Sequence, residues 1–310
     1  MVNLENRELS VRLEPRGGDV ATQLQIGPDG GAGGHSRVIL LLHGYANTLD
    51  VARNSYSLFE QNLVQQQQPI GSANLPHIFR LYWPGDSKLM KPLYYGSYPG
   101  EIGPAKKSAA PIEEYLRNLP QPPGGAIELF LVAHSLGNRV ALELLDCFTG
   151  GRRPGRLQIR GVLMMAAAVP VARVRFGGNL HYAASMAERR FTLHSRSDMT
   201  LLWGFPAGEI FGGDALALPW DWPQAVGRNG NPVSNWTFHT AMFTTQGEGY
   251  GHSNYWPGTE VSDPAAQMLG LVPAQQTPTA KPASNAIATS PGPPAVQPAT
   301  RNTPTRPPLG

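Results

Sequence analysis

An apolar run from Ile127 to Val132 leads into Ala133-His134-Ser135-Leu136-Gly137, and these five residues open an amphipathic stretch that ends near Phe148. Ile127 and then Leu129 to Val132 read as a strand buried on both faces. Beyond the serine, Leu136, Val140, Leu144 and Phe148 recur at four-residue intervals, with Arg139, Glu143 and Asp146 on other faces. The order is therefore strand, sharp turn, helix, with a serine at the turn. A turn this tight closes only if the residues two before and two after the serine are small. Gly137 meets that condition, and Ala133 stands where glycine is usual. This arrangement lifts a serine clear of the sheet as a nucleophile. It also sets a helix N-terminus beneath Ser135, where the Leu136 N–H can donate to an oxyanion.

A second oxyanion donor is expected from the loop after an earlier core strand. Arg37-Val38-Ile39-Leu40-Leu41-Leu42 is such a strand, and His43-Gly44-Tyr45 follows it. The glycine lets the backbone turn so that the Tyr45 N–H can face the serine. A serine nucleophile also needs a base, and the base needs an orienting acid, in the chain order serine, acid, histidine. Arg190 to His194 reads as a strand, and Asp198 lies just past its end, where open α/β sheets place functional groups. Asp214 and Asp221 compete for the acid role but sit in a Gly/Pro/Trp-rich stretch with no strand pattern before them. Asp198 also has a plainer reading as a turn or capping aspartate.

Only His239 and His252 follow the acid. His239 belongs to the alternating run Trp236 to Phe243, which fixes it on a strand. His252 lies in the glycine-rich loop Gly247 to Ser253 beyond that run and is the expected base. His194 is expected to be a packed or hydrogen-bonded strand histidine. His134 is expected to point to the far side of its strand, and His43 to brace the oxyanion loop rather than titrate.

The rest of the chain supports one folded catalytic domain, residues 1–270, and a separate tail, residues 271–310. At 310 residues with 41% hydrophobic content the chain can bury a substantial core. The tail is rich in Pro, Ala, Thr and Gln and nearly free of large apolar residues, a composition that favours disorder. Its charges are Lys281, Arg301 and Arg306, so it carries the same +3 as the whole chain and residues 1–270 are balanced. The basicity thus belongs to the tail, and the core shows no basic–aromatic patch or phosphate loop, so nucleic acid is not an expected partner. No run reaches the ~18 apolar residues of a membrane span. The N-terminus lacks an apolar signal region, and the single cysteine, Cys147, sits at a packed helical position. A cytoplasmic protein is expected, with no metal or organic cofactor and an open oligomeric state.

Along the chain, residues 7–26 suggest an opening hairpin, Leu49 to Gln67 a helix, and Ile78 to Trp83 a strand. Ile112, Tyr115, Leu116 and Leu119 mark another helix, and Gly161 to Ala167 a buried strand. Alternating β–α units predict an α/β fold, a mainly parallel central sheet with helices on both faces. Two irregular stretches rich in Gly, Pro and aromatic residues, 94–104 and 203–232, are expected either to form a cap-like insertion lining an acyl pocket or to be packed surface excursions.

The segments Leu42-His43-Gly44-Tyr45-Ala46-Asn47, Tyr82-Trp83-Pro84-Gly85-Asp86, Ala133 to Arg139 and Phe191 to Asp198 resemble the bacterial α/β-hydrolases grouped as domain of unknown function 900. The resemblance runs from about Val38 to about Trp256. It implies the α/β-hydrolase fold and an esterase- or lipase-type activity on a small-molecule ester or acyl substrate. The expected machinery is Ser135, His252 and Asp198, with Leu136 and Tyr45 N–H groups around the oxyanion. An acyltransferase, thioesterase or amidase would use the same residues, and a catalytically silent scaffold acting as a binding module is the alternative of another class.

Overall fold

In the computed structural model, the described residues are 5, 7–14, 19–28, 34–67, 76–86, 94–120, 122, 125–149, 156–206, 209, 223–230 and 238–271. Eight strands among them form one sheet. They are β1 (Glu8–Arg12), β2 (Val20–Ile26), β3 (Arg37–Leu42), β4 (His77–Tyr82), β5 (Ile127–His134), β6 (Leu157–Met165), β7 (Arg189–His194) and β8 (Phe238–Ala241). Their order across the sheet is β2-β1-β4-β3-β5-β6-β7-β8. β1 and β2 pair antiparallel as the expected hairpin, and every other pairing is parallel. The sheet edge at the C-terminal ends of β3 to β8 therefore gathers the loops after all six strands.

Helices α1 (Leu49–Gln67), α2 (Tyr94–Arg117), α3 (Gly137–Cys147), α4 (Val171–Val174), α5 (His181–Ser185), α6 (Val226–Asn229) and α7 (Ser262–Leu269) complete the described elements, with short helical turns at Thr200–Gly204 and Thr259–Val261. α2 packs on α3 and β2, and α3 on α5, whereas α1 packs on α7, which lies over β6 and β7. In β3 the consecutive residues Val38 to Leu42 are all buried, as are Leu129 to His134 in β5. Consecutive burial requires cover on both faces, which is why these strands lack polar alternation. The result is the expected α/β-hydrolase architecture.

One stretch departs from expectation. Residues 94–104, expected to be irregular, are helical and form the first turns of α2. Gly96, Pro99, Gly100, Gly103 and Pro104 argue against a helix locally, but Ile102, Ala105, Ala109, Ile112 and Leu116 bury one continuous face. Tertiary burial outweighs the propensity penalty. Of the expected cap residues 203–232, only 203–206, 209 and 223–230 lie within the described residues. The Val226–Asn229 turn packs tightly, with Gly227 N–H donating to Ala167 O at 2.9 Å. The chain divides into two units, Met1–Ala274 and Gln275–Gly310, and the second lies outside the described residues.

Candidate active site

Ser135 sits where β5 ends, at φ +52°, in the left-handed region that costs a residue with a Cβ. Four hydrogen bonds hold its backbone there. Its N–H donates to Met165 O at 3.0 Å, and its carbonyl accepts from Ala168 N–H at 3.1 Å, from Asn138 N–H at 3.1 Å and from Asn138 Nδ2 at 3.0 Å. Asn138 also donates to Met165 O at 3.0 Å, so one buried amide ties the turn to β6. The requirement for a small residue at 137 is steric. A Cβ there would lie 2.4 Å from His43 O and 2.6 Å from Leu42 O, because the start of α3 presses against the end of β3.

The sequence-predicted acid, base and nucleophile are brought together. His252 Nε2 is 2.8 Å from Ser135 Oγ, and His252 Nδ1 is 2.7 Å from Asp198 Oδ2. Asp198 is fully buried, and its other oxygen accepts from Leu201 N–H at 2.9 Å, which fixes the carboxylate plane. A buried carboxylate with a donor on each oxygen is satisfied by hydrogen bonds. The His252 imidazole remains partly exposed, whereas the Asp198 carboxylate is not. His239 is on β8, where its backbone pairs with Thr192 of β7.

The loop after β3 lies against the serine. A Cβ on Gly44 would be 2.8 Å from Ser135 Cβ and 2.9 Å from His134 Nδ1, so only glycine allows this approach. Leu136 N–H makes no backbone hydrogen bond among the described residues, as a free helix-start donor should. His43 braces the loop as expected. Its Nε2 accepts from Trp83 N–H at 3.3 Å and its Nδ1 donates to Gly44 O at 2.9 Å, while its carbonyl accepts from the Trp83 indole at 2.7 Å. That pattern requires the Nδ1–H tautomer, since a backbone N–H only donates. Burial, assisted by the nearby Arg12 guanidinium, pushes the His43 pKa down to about 3. Arg12 is itself paired with Asp86 in the interior. Ala46 N–H donates to Gly85 O at 2.6 Å, so the ends of β3 and β4 are stitched together beside the site.

His134 corrects an expectation. It does not turn to the far side of β5 but donates from Nε2 to His252 O at 2.7 Å. Its ring lies 5.0 Å from the His252 ring and against Tyr255 and Trp256, and burial drives its pKa down to about 3. The sequence carries little sign of this, because a histidine before the serine reads locally as a strand residue. Its partner lies 118 positions away. His194 is buried on β7, as expected.

Among the described residues no group of three or more His, Cys, Asp or Glu is arranged to hold a metal ion, and no helix is long and apolar enough to cross a membrane. A family model described as alpha/beta hydrolase of unknown function (DUF900) matches residues 28–203. No curated protein matches the sequence. Among solved structures, acyl-protein thioesterase 2 of Zea mays superposes with a TM-score of 0.38 at 17% identity, covering 77% of this chain and 96% of that one.

Proposed function

The chain belongs to the alpha/beta hydrolase family of unknown function DUF900, and on that basis we propose that it is a serine hydrolase cleaving carboxylic esters. The observation that carries this reading is the unbroken chain Asp198 Oδ2–His252 Nδ1, His252 Nε2–Ser135 Oγ, at 2.7 and 2.8 Å. In the proposed cycle, Ser135 Oγ attacks the acyl carbon as His252 Nε2 takes its proton. Asp198 holds Nδ1–H and stabilises the imidazolium that forms. Leu136 and Tyr45 N–H groups receive the oxyanion, and losing one such donor costs about 3 kcal/mol of transition-state stabilisation. The imidazolium protonates the leaving alcohol, and water, activated by the same imidazole, then deacylates the serine.

The steric reading of Gly44 supports an oxyanion site at this turn, because it lets the loop after β3 lie against Ser135. Ser135→Ala is expected to abolish both turnover of p-nitrophenyl esters and labelling by a fluorophosphonate probe while keeping the thermal unfolding profile. Wild-type protein that folds cooperatively yet never labels would instead favour a silent binding scaffold. A series of esters of increasing acyl length reports the depth of the acyl site.

A further inference from the structure

The exposed large aromatic side chains of the described residues are Phe176, Tyr182, Trp203 and Phe243, and all follow the C-terminal ends of β6, β7 or β8. The exposed large residues elsewhere, Leu13, Ile26, Val51 and Val64, are aliphatic. β5 to β8 are parallel, so these segments leave the same sheet edge that ends in Ser135. Scattered apolar residues on a surface need no explanation, but every exposed large aromatic of the described residues lies in the chain between β6 and β7, between β7 and β8, or after β8.

Two of these segments are built to present their rings. In the first, Leu180 N–H donates to Arg173 O and Gly178 N–H donates to Arg175 O, both at 2.9 Å, closing a tight loop. Gly177, at φ +82°, makes the reversal, and Phe176 at its tip is 88% exposed. Arg175 beside it is exposed too. In the second, Asp198 turns inward to His252, while Met199 and Trp203, one helical turn apart, face outward at 57% and 63% exposure. Exposed Arg196 precedes them. Residues 166–187 contain no acid, and residues 195–206 contain only the buried Asp198. The β8 loop does carry one exposed acid, Glu248.

We infer that the Arg175–Phe176 tip and the Arg196–Met199–Trp203 segment form a docking surface for an anionic phospholipid layer. Aromatic rings settle at the level of lipid headgroups, and arginines beside them are drawn to a negatively charged leaflet. Charge selects the anionic surface over a neutral one. Arg196 and Met199 flank Asp198 in the chain, so docking of that segment brings Ser135 and His252 to esters held in the lipid. That consequence rests on the serine-hydrolase reading; the docking itself does not.

The test is flotation of the full chain with vesicles of phosphatidylcholine alone and of phosphatidylcholine mixed with phosphatidylglycerol. Binding is expected to the mixed vesicles only and to weaken with added salt. Phe176→Ala and Trp203→Ala should each weaken partitioning by about tenfold or more. Charge removal by Arg175→Gln with Arg196→Gln should abolish the preference for phosphatidylglycerol. Ser135→Ala should bind as wild type does, which separates docking from chemistry. The variant Lys281→Gln, Arg301→Gln, Arg306→Gln should also bind, because the tail is not the docking element. Overturning results are no binding to mixed vesicles, equal binding to both, loss of binding through the tail variant alone, or aromatic variants that bind unchanged and so point to a protein partner for this edge.

Discussion

Ser135 adopts a left-handed backbone conformation, at φ +52°, that a residue with a Cβ adopts only when its surroundings compel it. Compulsion here comes from named contacts: Met165 O, Ala168 N–H and Asn138 hold both ends of its peptide groups. His134, its neighbour, acts on the other side by anchoring His252 O. Ser135 and His252 are thus linked through their side chains, and His252 is held again through its backbone by His134. His134→Phe removes the anchor while keeping a ring, and is expected to lower kcat for a soluble ester by up to about 100-fold with a smaller change in KM. His134→Gln keeps an N–H donor and should recover part of that loss. Equal kcat in the Phe variant and wild type would show that the 2.7 Å contact is incidental.

At the level of elements, the acid-bearing loop depends on a turn with no catalytic atom. Gly227 N–H donates to Ala167 O, and Gly227 O accepts from Ser195 N–H at 3.0 Å, three residues before Asp198. A Cβ on Gly227 would fall 2.0 Å from Ala167 N and 2.1 Å from Ala166 C, which are backbone atoms with no rotamer to yield. Gly227→Ala is expected to destabilise the fold by about 1–3 kcal/mol and to reduce ester turnover. Chemical denaturation and turnover on the same sample check both, and an unchanged unfolding midpoint would refute the packing argument. The strand–turn–helix of 127–148 was legible because its signals are local: hydrophobic period, small residues and order. The helical start of α2 was not, because Gly96, Pro99 and Pro104 speak locally against it and α2 gains its cover from α3 and β2 only in the folded chain. Gly227 likewise looks like any glycine until β6 is placed beneath it.

For the whole molecule, pH should act through buried imidazoles. His43 and His134 each have a pKa pushed down to about 3 by burial, against about 6.5 in the unfolded chain. Below pH 6.5 the unfolded state therefore binds more protons than the folded one. Their contribution is fully present above pH 6.5 and is lost as pH falls toward 3, at about 1.4 kcal/mol per pH unit for each histidine. The urea midpoint should fall between pH 7 and pH 5, and His134→Gln should flatten that slope. A midpoint that does not move across this interval would mean that these groups are not neutral in the fold.

The parallel-sheet architecture and the candidacy of Ser135, Asp198 and His252 could be read from residue order alone, since each follows from patterns within about 20 residues of chain or from their succession. The folded molecule was needed to bring Asp198, 54 positions from His252, and Ser135, 117 positions away, within hydrogen-bond distance of that histidine. It was needed too for the turn of His134 toward His252, the helical form of residues 94–104 and the exposure of Phe176, Tyr182, Trp203 and Phe243. The physical reason is the same in each case. Hydrogen bonds and burial between distant segments have no local pattern, and they come into being only when parallel strands bring their ends to one edge.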